Sequence, residues 1–335
     1  MQKHNRPHHK RIKFINPFTT KRHKGMLHAF ETFVLNGKPL PNYRKQRHLV
    51  GKVAPVLHHT NLSKNSLRAT WLGHSTVLIE ANGIRMLTDP VFEDTLGPVV
   101  GVGPKRSHPN TISALQCLPL DLVVISHNHY DHLEARTVKL LKDKVKYWAV
   151  PLKVGRYLRN WGVAVENIIE LDWWQSYALQ TIDATVHCTP TQHFSGRWFW
   201  DRDTSLWCSW VVELGDHKIF FGGDTGYNSV QFSEIGAKFA PIDLGLIPIG
   251  VYAPREFMEV VHVNSEESVK IHQEVGCLKS IGIHWGTFSL ASEPIDEPPI
   301  KLQQAMLSAD LDPADFTALK IGESIIIDKK NTISA

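Results

Sequence analysis

Six consecutive residues, His127-Asn128-His129-Tyr130-Asp131-His132, bring together three imidazoles and a carboxylate. They follow Ser126 and the apolar run Leu122-Val123-Val124-Ile125, where a buried strand hands over to a loop. His127 and His129 are two residues apart, so in extended backbone they project to the same side. Asp131 and His132 follow as the chain turns into a helix and can face elsewhere. One metal ion can take the first pair and a second ion the other pair. Neutral imidazole and carboxylate are the donors a borderline ion such as Zn²⁺ prefers.

The same arrangement, a donor just past a strand, recurs three times. His193 follows the strand expected over 184–189, Asp224 the strand over 218–221, and His284 the strand over 280–283. Together with the opening stretch these residues make a complete set for two ions. The first would take His127, His129 and His193, and the second Asp131, His132 and His284. Asp224 can bridge, since a carboxylate has one oxygen for each ion. Positions left open on both ions would hold a shared water or hydroxide.

The elements that must position these residues are legible by alternation and turn chemistry. Strands are expected over 69–72, 77–81 and 84–87, the last two joined by the hairpin turn Asn82-Gly83. Further strands are expected over 121–125, 147–150, 178–182, 184–189, 207–213, 218–221, 244–247, 280–283 and 324–327. Helices are expected over 133–141, 152–161, 265–274 and 299–307, with Asn264 or Ser265 capping the third. The portions 67–195 and 206–328 share a strand-rich-then-α/β layout. This predicts two sheets packed face to face with helices outside.

Composition sets bounds. The 335 residues, 42% hydrophobic and 21% charged, are ordinary for a globular α/β chain. No run approaches the ~18 apolar residues of a spanning helix, and no apolar segment of a cleavable signal is visible near the N-terminus. Cys117, Cys188, Cys208 and Cys277 lack C-x-x-C spacing and read as buried free thiols of a reducing compartment. Residues 1–66 read as an arm packing on a hydrolase domain over 67–335. Lys3, Arg6, Lys10, Arg11, Lys13, Lys21, Arg22 and Lys24 all precede the first acid, Glu31, with Phe14, Ile15, Phe18, Met26, Leu27 and Phe30 among them. Three readings are open to such an arm: a solvated tail, attraction to an anionic membrane surface, or nonspecific nucleic-acid binding. No recognisable nucleic-acid module accompanies it, so no specific nucleic-acid partner is expected.

The chain resembles the metallo-β-lactamase superfamily, and within it the phospholipase D branch that hydrolyses N-acyl-phosphatidylethanolamine, with its bacterial relatives. The resemblance runs from about Trp71 to Gly322. It is carried by Trp71-Leu72-Gly73-His74, Leu87-Thr88-Asp89-Pro90, Gly103-Pro104-Lys105-Arg106 and Ser126 to Leu133. It continues through Glu170-Leu171-Asp172-Trp173-Trp174, Gly223-Asp224-Thr225-Gly226-Tyr227, Ile247-Pro248-Ile249-Gly250 and Ile283-His284-Trp285-Gly286-Thr287-Phe288. The chain departs from the animal enzymes in the bacterial-type block Gln192 to Arg197, and at Asn264-Ser265, where those enzymes have Asp-Pro.

The resemblance implies an α/β fold, the αβ/βα four-layer sandwich of two packed mixed β-sheets with outer helices. It implies two Zn²⁺ per chain, a phospholipid substrate and a homodimer. The expected reaction is phosphodiester hydrolysis to N-acylethanolamine and phosphatidic acid by a hydroxide shared between the ions. Asp131 would orient the nucleophile, while Tyr130 and His262 would lie near the amide or leaving group. His74 and Asp89 read as groups that hold the metal loop, and Lys105 and Arg106 as candidates to meet a phosphate. The expected location is cytoplasmic, extending to the cytosolic face of a membrane. Alternatives are a lactonase-like metallohydrolase of a soluble cyclic ester, a nuclease of the same superfamily, or a membrane-binding protein with a vestigial site. Against the last, no ligand is missing.

Overall fold

The computed structural model describes residues 7–19, 40–57, 62–99, 101–198 and 200–329. Much of the basic arm, including Lys3, Arg6, Lys21, Arg22, Lys24, Met26, Leu27 and Phe30, lies outside the described residues. The described part of the arm begins with a short hairpin of β1 (His9–Lys10) and β2 (Lys13–Phe14). The main strands then follow in chain order. They are β3 (Ser66–Gly73), β4 (Thr76–Ala81), β5 (Ile84–Thr88), β6 (Leu120–Val124), β7 (Val145–Pro151), β8 (Ile168–Leu171) and β9 (Ser176–Ala178). Next come β10 (Ala184–Thr189), β11 (Ser209–Leu214), β12 (His217–Phe221), β13 (Ile242–Pro248), β14 (Cys277–Ile283), β15 (Phe316–Thr317) and β16 (Ser324–Asp328).

These strands build two seven-stranded mixed sheets, ordered β16-β3-β4-β5-β6-β7-β8 and β15-β14-β13-β12-β11-β10-β9. In each sheet one half is antiparallel and the other parallel, with the change at β5 in the first and β12 in the second. The expected two-sheet sandwich is therefore borne out, but the partition of the chain is not a simple halving. Strands β9 and β10, from the first portion, pair into the second sheet through β11. The last strand, β16, returns to the first sheet beside β3. Each portion thus lends strands to the other's sheet, so neither sheet is built from one portion alone.

Period-two patterning divides the first sheet between two cores. Leu122 and Val124 of β6 face the core between the sheets, with Trp71, Ile79 and Met86 from neighbouring strands. Val123 and Ile125 face outward and pack with Val138 and Leu141 of helix Ala135–Leu141 and with Leu158 of helix Gly155–Asn160. On the second sheet, helices Gln231–Phe239, Ser265–Val275 and Glu297–Ser308 pack together, the middle one against β13 and β14. Asn264 caps that middle helix: its side chain accepts from the Glu267 N–H while Glu267 reaches back to the Asn264 N–H.

Three expectations need correction. The strand expected over 178–182 lies earlier, at Ser176–Ala178, because Leu179 to Asp183 turn the chain back into β10. The helix expected from Leu152 begins at Gly155, since Leu152 donates its N–H to Leu171 across the sheet edge. No helix is expected from the sequence over Gln231–Phe239, yet one forms with Phe232, Ile235 and Phe239 buried at helical spacing.

Candidate metal centre

Every donor picked out in the sequence sits just beyond a strand, at one common rim of the sandwich. The loop after β6 carries His127, His129, Asp131 and His132. His193 follows β10, Asp224 follows β12, and His284 follows β14. Both sheets therefore contribute. The backbone is left-handed at His74, Asp89 and His284, with φ of 53°, 30° and 62°. Non-glycine residues adopt that region rarely and at a cost, so the surrounding fold holds them there. Gly223, with φ 57°, precedes Asp224 where a Cβ would lie 2.7 Å from Ser126 Cβ. Only glycine lets the strand that carries Asp224 approach the metal loop so closely.

The donor atoms fall into two groups. In the first, His127, His129, His193 and Asp224 present donors all within 4.8 Å of one another; His74, Asp131, His132 and His284 do so in the second. Asp224 stands between them. Its Oδ2 lies 3.9 Å from His127 Nε2, 3.7 Å from His193 Nε2 and 3.1 Å from His132 Nε2, while its Oδ1 lies 3.1 Å from His284 Nε2. Asp131 Oδ2 is 3.4 Å from both His132 Nε2 and His284 Nε2. Despite these separations, Asp224 Oδ1, His132 Nε2 and His284 Nε2 have no partner aligned for a hydrogen bond. These three atoms converge on a shared point rather than on one another. Donors held about 2.0–2.2 Å from a common ion are spaced in this way. In the first group, by contrast, His127 Nε2 and His129 Nδ1 lie 2.8 Å apart, within hydrogen-bond distance.

Groups behind the donors fix which nitrogen faces inward. Asp89, fully buried, accepts from the Ser126 N–H at 2.7 Å, from Ser126 Oγ, and from His132 Nδ1 at 2.6 Å. That leaves the His132 Nε2 lone pair free for the site. His193 donates from Nδ1 to the Val261 carbonyl at 2.9 Å, and His74 Nε2 is 3.0 Å from Asp131 Oδ2. Metal-binding histidines are typically oriented by such outer bonds.

Electrostatics ask for positive charge here. Burial pushes His127 and His193 well below the usual histidine range, His129 to about 4 and His74 to about 3. Burial would also lower His132 and His284, but Asp224 and Asp131 overcome it, raising His132 well above its ordinary value and His284 to about 9. Burial would raise the carboxyls of Asp131 and Asp224, yet His132 in particular holds both well below the usual range. Two buried carboxylates thus draw protons onto two imidazoles that could otherwise ligate. The donor chemistry fits divalent cations, which supply the same charge and use the free lone pairs.

A family model described as a β-lactamase superfamily domain matches residues 84–285. The chain belongs to the metallo-β-lactamase superfamily. It is 46% identical over 256 residues to an uncharacterised protein of Mycobacterium tuberculosis, covering 75% of this chain and 67% of that one. It is 39% identical over 271 residues to N-acyl-phosphatidylethanolamine-hydrolyzing phospholipase D 1 of Caenorhabditis elegans, covering 78% of this chain and 76% of that one. A metallo hydrolase of Ignicoccus hospitalis has the same fold, with TM-score 0.60 and 19% identity over 79% of this chain and all of that one. The protein is a metal-dependent hydrolase.

In this metallo-β-lactamase frame His129, Asp131, His193, Asp224 and His284 line a cavity of about 690 Å³. His262 lines it, stacked on His284 at 5.3 Å between ring centroids, with Nδ1 unpartnered. Tyr130 is not among the lining residues; its ring lies under the Arg197 guanidinium, 3.9 Å from the centroid, and Arg197 itself lines the cavity. Arg106 lies away from the cavity and donates to the backbone carbonyls of Val91 and Glu93, so its guanidinium braces a loop. The walls carry no mark in the sequence: Phe194, Val251, Phe257, Met258, Val261 and Leu290 make them largely apolar. Asn16 is a further residue of the site with no such mark. Asn16 donates from Nδ2 to the carbonyl of His193 at 2.7 Å and accepts from Trp207 Nε1 at 3.2 Å. Nothing local in the sequence flags a partner 177 residues away.

Proposed function

We propose that the chain is a phospholipase D-type phosphodiesterase. It hydrolyses N-acyl-phosphatidylethanolamine-type lipids at a membrane surface, releasing N-acylethanolamine and phosphatidic acid. The observation that carries the reading is Asp224: one carboxylate that lines an apolar-walled cavity, placed between two complete donor groups. The likeness to the nematode phospholipase D supports the substrate class.

His127, His129 and His193 would hold one Zn²⁺, and Asp131, His132 and His284 the other, with Asp224 shared. When bound, such a pair lowers the pKa of a water between the ions and clamps phosphate oxygens. Asp131 is held by His74 on the rim of the site, where its carboxylate can orient the attacking water and take its proton. The water oxygen would bond to phosphorus, the bond from phosphorus to the ethanolamine oxygen would break, and that oxygen would leave with the proton that Asp131 took from the water and passed on. His262 would meet the leaving group; its place in the cavity lining and its unpartnered Nδ1 support that role. Tyr130 acts through Arg197, whose position over its ring sets that part of the wall. The apolar walls suit acyl chains and give no comparable reason to prefer a small polar ester.

The test is turnover of N-acyl-phosphatidylethanolamine in mixed micelles, with both products followed by mass spectrometry. An Asp131→Asn variant and a chelated sample run beside it. Both products should appear and should vanish in both controls. Zinc at two ions per chain without lipid turnover would overturn the lipid assignment.

A further inference from the structure

The geometry points to a membrane-docking face, made of the turn bearing Trp198 and Trp200 and the N-terminal β1–β2 hairpin, which meets a bilayer bearing anionic phospholipid. The inference rests on the lipid reading above and assigns the element that performs the docking. Trp198 and Trp200 are 49% and 63% exposed and stack in parallel, with centroids 5.2 Å apart and planes 2° from coplanar. Two large indoles left at the surface are unusual in a chain whose Trp71, Trp148, Trp207 and Trp210 are fully buried.

Their display is built. Asp201 Oδ1 accepts from the N–H groups of Arg197 and Trp198, closing the turn that presents the indoles. Asp203 donates its N–H to the Ser195 carbonyl and so ties the end of the turn back to its start. The hairpin joins the same turn, because Phe14 donates its N–H to the Asp203 carbonyl at 2.8 Å. Phe14 is buried there, while Ile12, at its tip, is 73% exposed. Lys10, Arg11 and Lys13 are exposed on the hairpin. The cavity adjoins this assembly: Trp198, Arg202 and Phe194 line it, and Arg202 stacks over Phe194 at 4.3 Å.

The chemistry selects the partner. Indoles favour the interfacial zone of a bilayer, where an apolar ring and a polar N–H are both accommodated. Clustered lysine and arginine beside exposed apolar residues suit an anionic leaflet. A cavity with apolar walls, lined in part by Trp198 itself, would let acyl chains pass from the bilayer to the metal centre with little exposure to water. A protein partner would not call for this combination beside the substrate cavity.

The experiment compares the full-length zinc-loaded protein with an Ile12→Ser/Trp200→Ser variant, both residues being exposed and outside the cavity lining. Binding is measured by co-sedimentation with phosphatidylcholine vesicles, with and without phosphatidylserine. Turnover of bis(p-nitrophenyl) phosphate, a soluble diester, is followed in parallel, together with zinc content. The wild type should bind the phosphatidylserine vesicles more tightly. The variant should lose at least about tenfold in vesicle affinity, with soluble turnover and zinc content unchanged. Equal vesicle binding by the two proteins, or no binding by the wild type, would overturn the docking face. If the variant alone loses binding but the wild type turns over only the soluble diester, the docking face stands and the lipid substrate falls. Lipid turnover by the wild type, with vesicle binding intact in the variant, overturns the docking face and leaves the lipid substrate standing.

Discussion

Replacing Asp89 with asparagine tests whether the buried carboxylate sets the tautomer of His132. The substitution preserves shape, so its effect isolates hydrogen-bond polarity. In the native structure one carboxylate oxygen accepts from the Ser126 N–H, and the other from both Ser126 Oγ and His132 Nδ1. An amide has one acceptor oxygen and one donor NH₂, and either orientation fails somewhere. With NH₂ toward His132, the imidazole must accept at Nδ1, its proton moves to Nε2, and the lone pair that faces the site is lost. With NH₂ toward Ser126, two N–H groups confront each other in a fully buried place, at about 1–3 kcal/mol. Loss of an outer hydrogen bond to a metal-binding histidine typically costs 10–100-fold in affinity. At about 1.4 kcal/mol per tenfold, this range and the buried-donor penalty agree. The assay is zinc affinity by competition with a chromophoric chelator, beside thermal unfolding of the chelated protein. The expected result is zinc bound about 10–100-fold more weakly at one position. Wild-type zinc affinity at both positions, in a protein that folds normally, would refute the tautomer argument.

Three further outcomes follow from the same structure. Chelation should abolish hydrolysis and lower Tm, and zinc should restore both; hydrolysis that survives complete chelation, checked by elemental analysis, would contradict the two-ion site. Asn16→Ala removes the donor to the His193 carbonyl, leaving that buried acceptor unpaired for about 1–3 kcal/mol. Zinc titration of this variant should show weakened binding on the His193 side, and unchanged affinity would mean the arm only packs there. Gly236→Ala would set a Cβ 1.9 Å from the Glu274 carbonyl oxygen, where its helix crosses Ser265–Val275. The gain of about 1 kcal/mol in helix propensity should be outweighed by overpacking of up to about 3 kcal/mol, so calorimetry should record a lower Tm.

What the sequence revealed and what it hid divide by range along the chain. His127, His129, Asp131 and His132 are spaced within one loop, so their chemistry is readable without knowing any distant contact. His193, Asp224 and His284 are readable as a recurrent position, a donor one step past a strand, because parallel strands bring their ends to a common rim. The cavity walls are different. Phe194, Met258 and Leu290 look like ordinary apolar residues until the second sheet brings their loops over the donors. Asn16 lies in a segment marked mainly by its charge, and only the fold shows its bond to His193. Helix Gln231–Phe239 had its apolar stripe in plain view, but Gly236 argues against a helix by propensity. The structure shows why a glycine stands there: the neighbouring helix leaves no room for a Cβ.

If these donors hold the ions as proposed, their division between the sheets ties folding to metal binding. His127, His129, Asp131 and His132 belong to the first sheet, while His193, Asp224 and His284 belong to the second. Neither set alone offers a bridging carboxylate between two groups, since Asp224 reaches across to His132 at 3.1 Å. The site therefore exists only when the sandwich is closed. Because β9 and β10 come from the first portion of the chain and β16 from the second, each sheet is completed only with strands from both portions. Divalent ions that bind the closed sandwich and not the open chain stabilise closure in proportion to that preference. The left-handed backbone at His74, Asp89 and His284 is consistent with this coupling, because local strain at a site persists only where the surrounding fold is closed tightly enough to hold it.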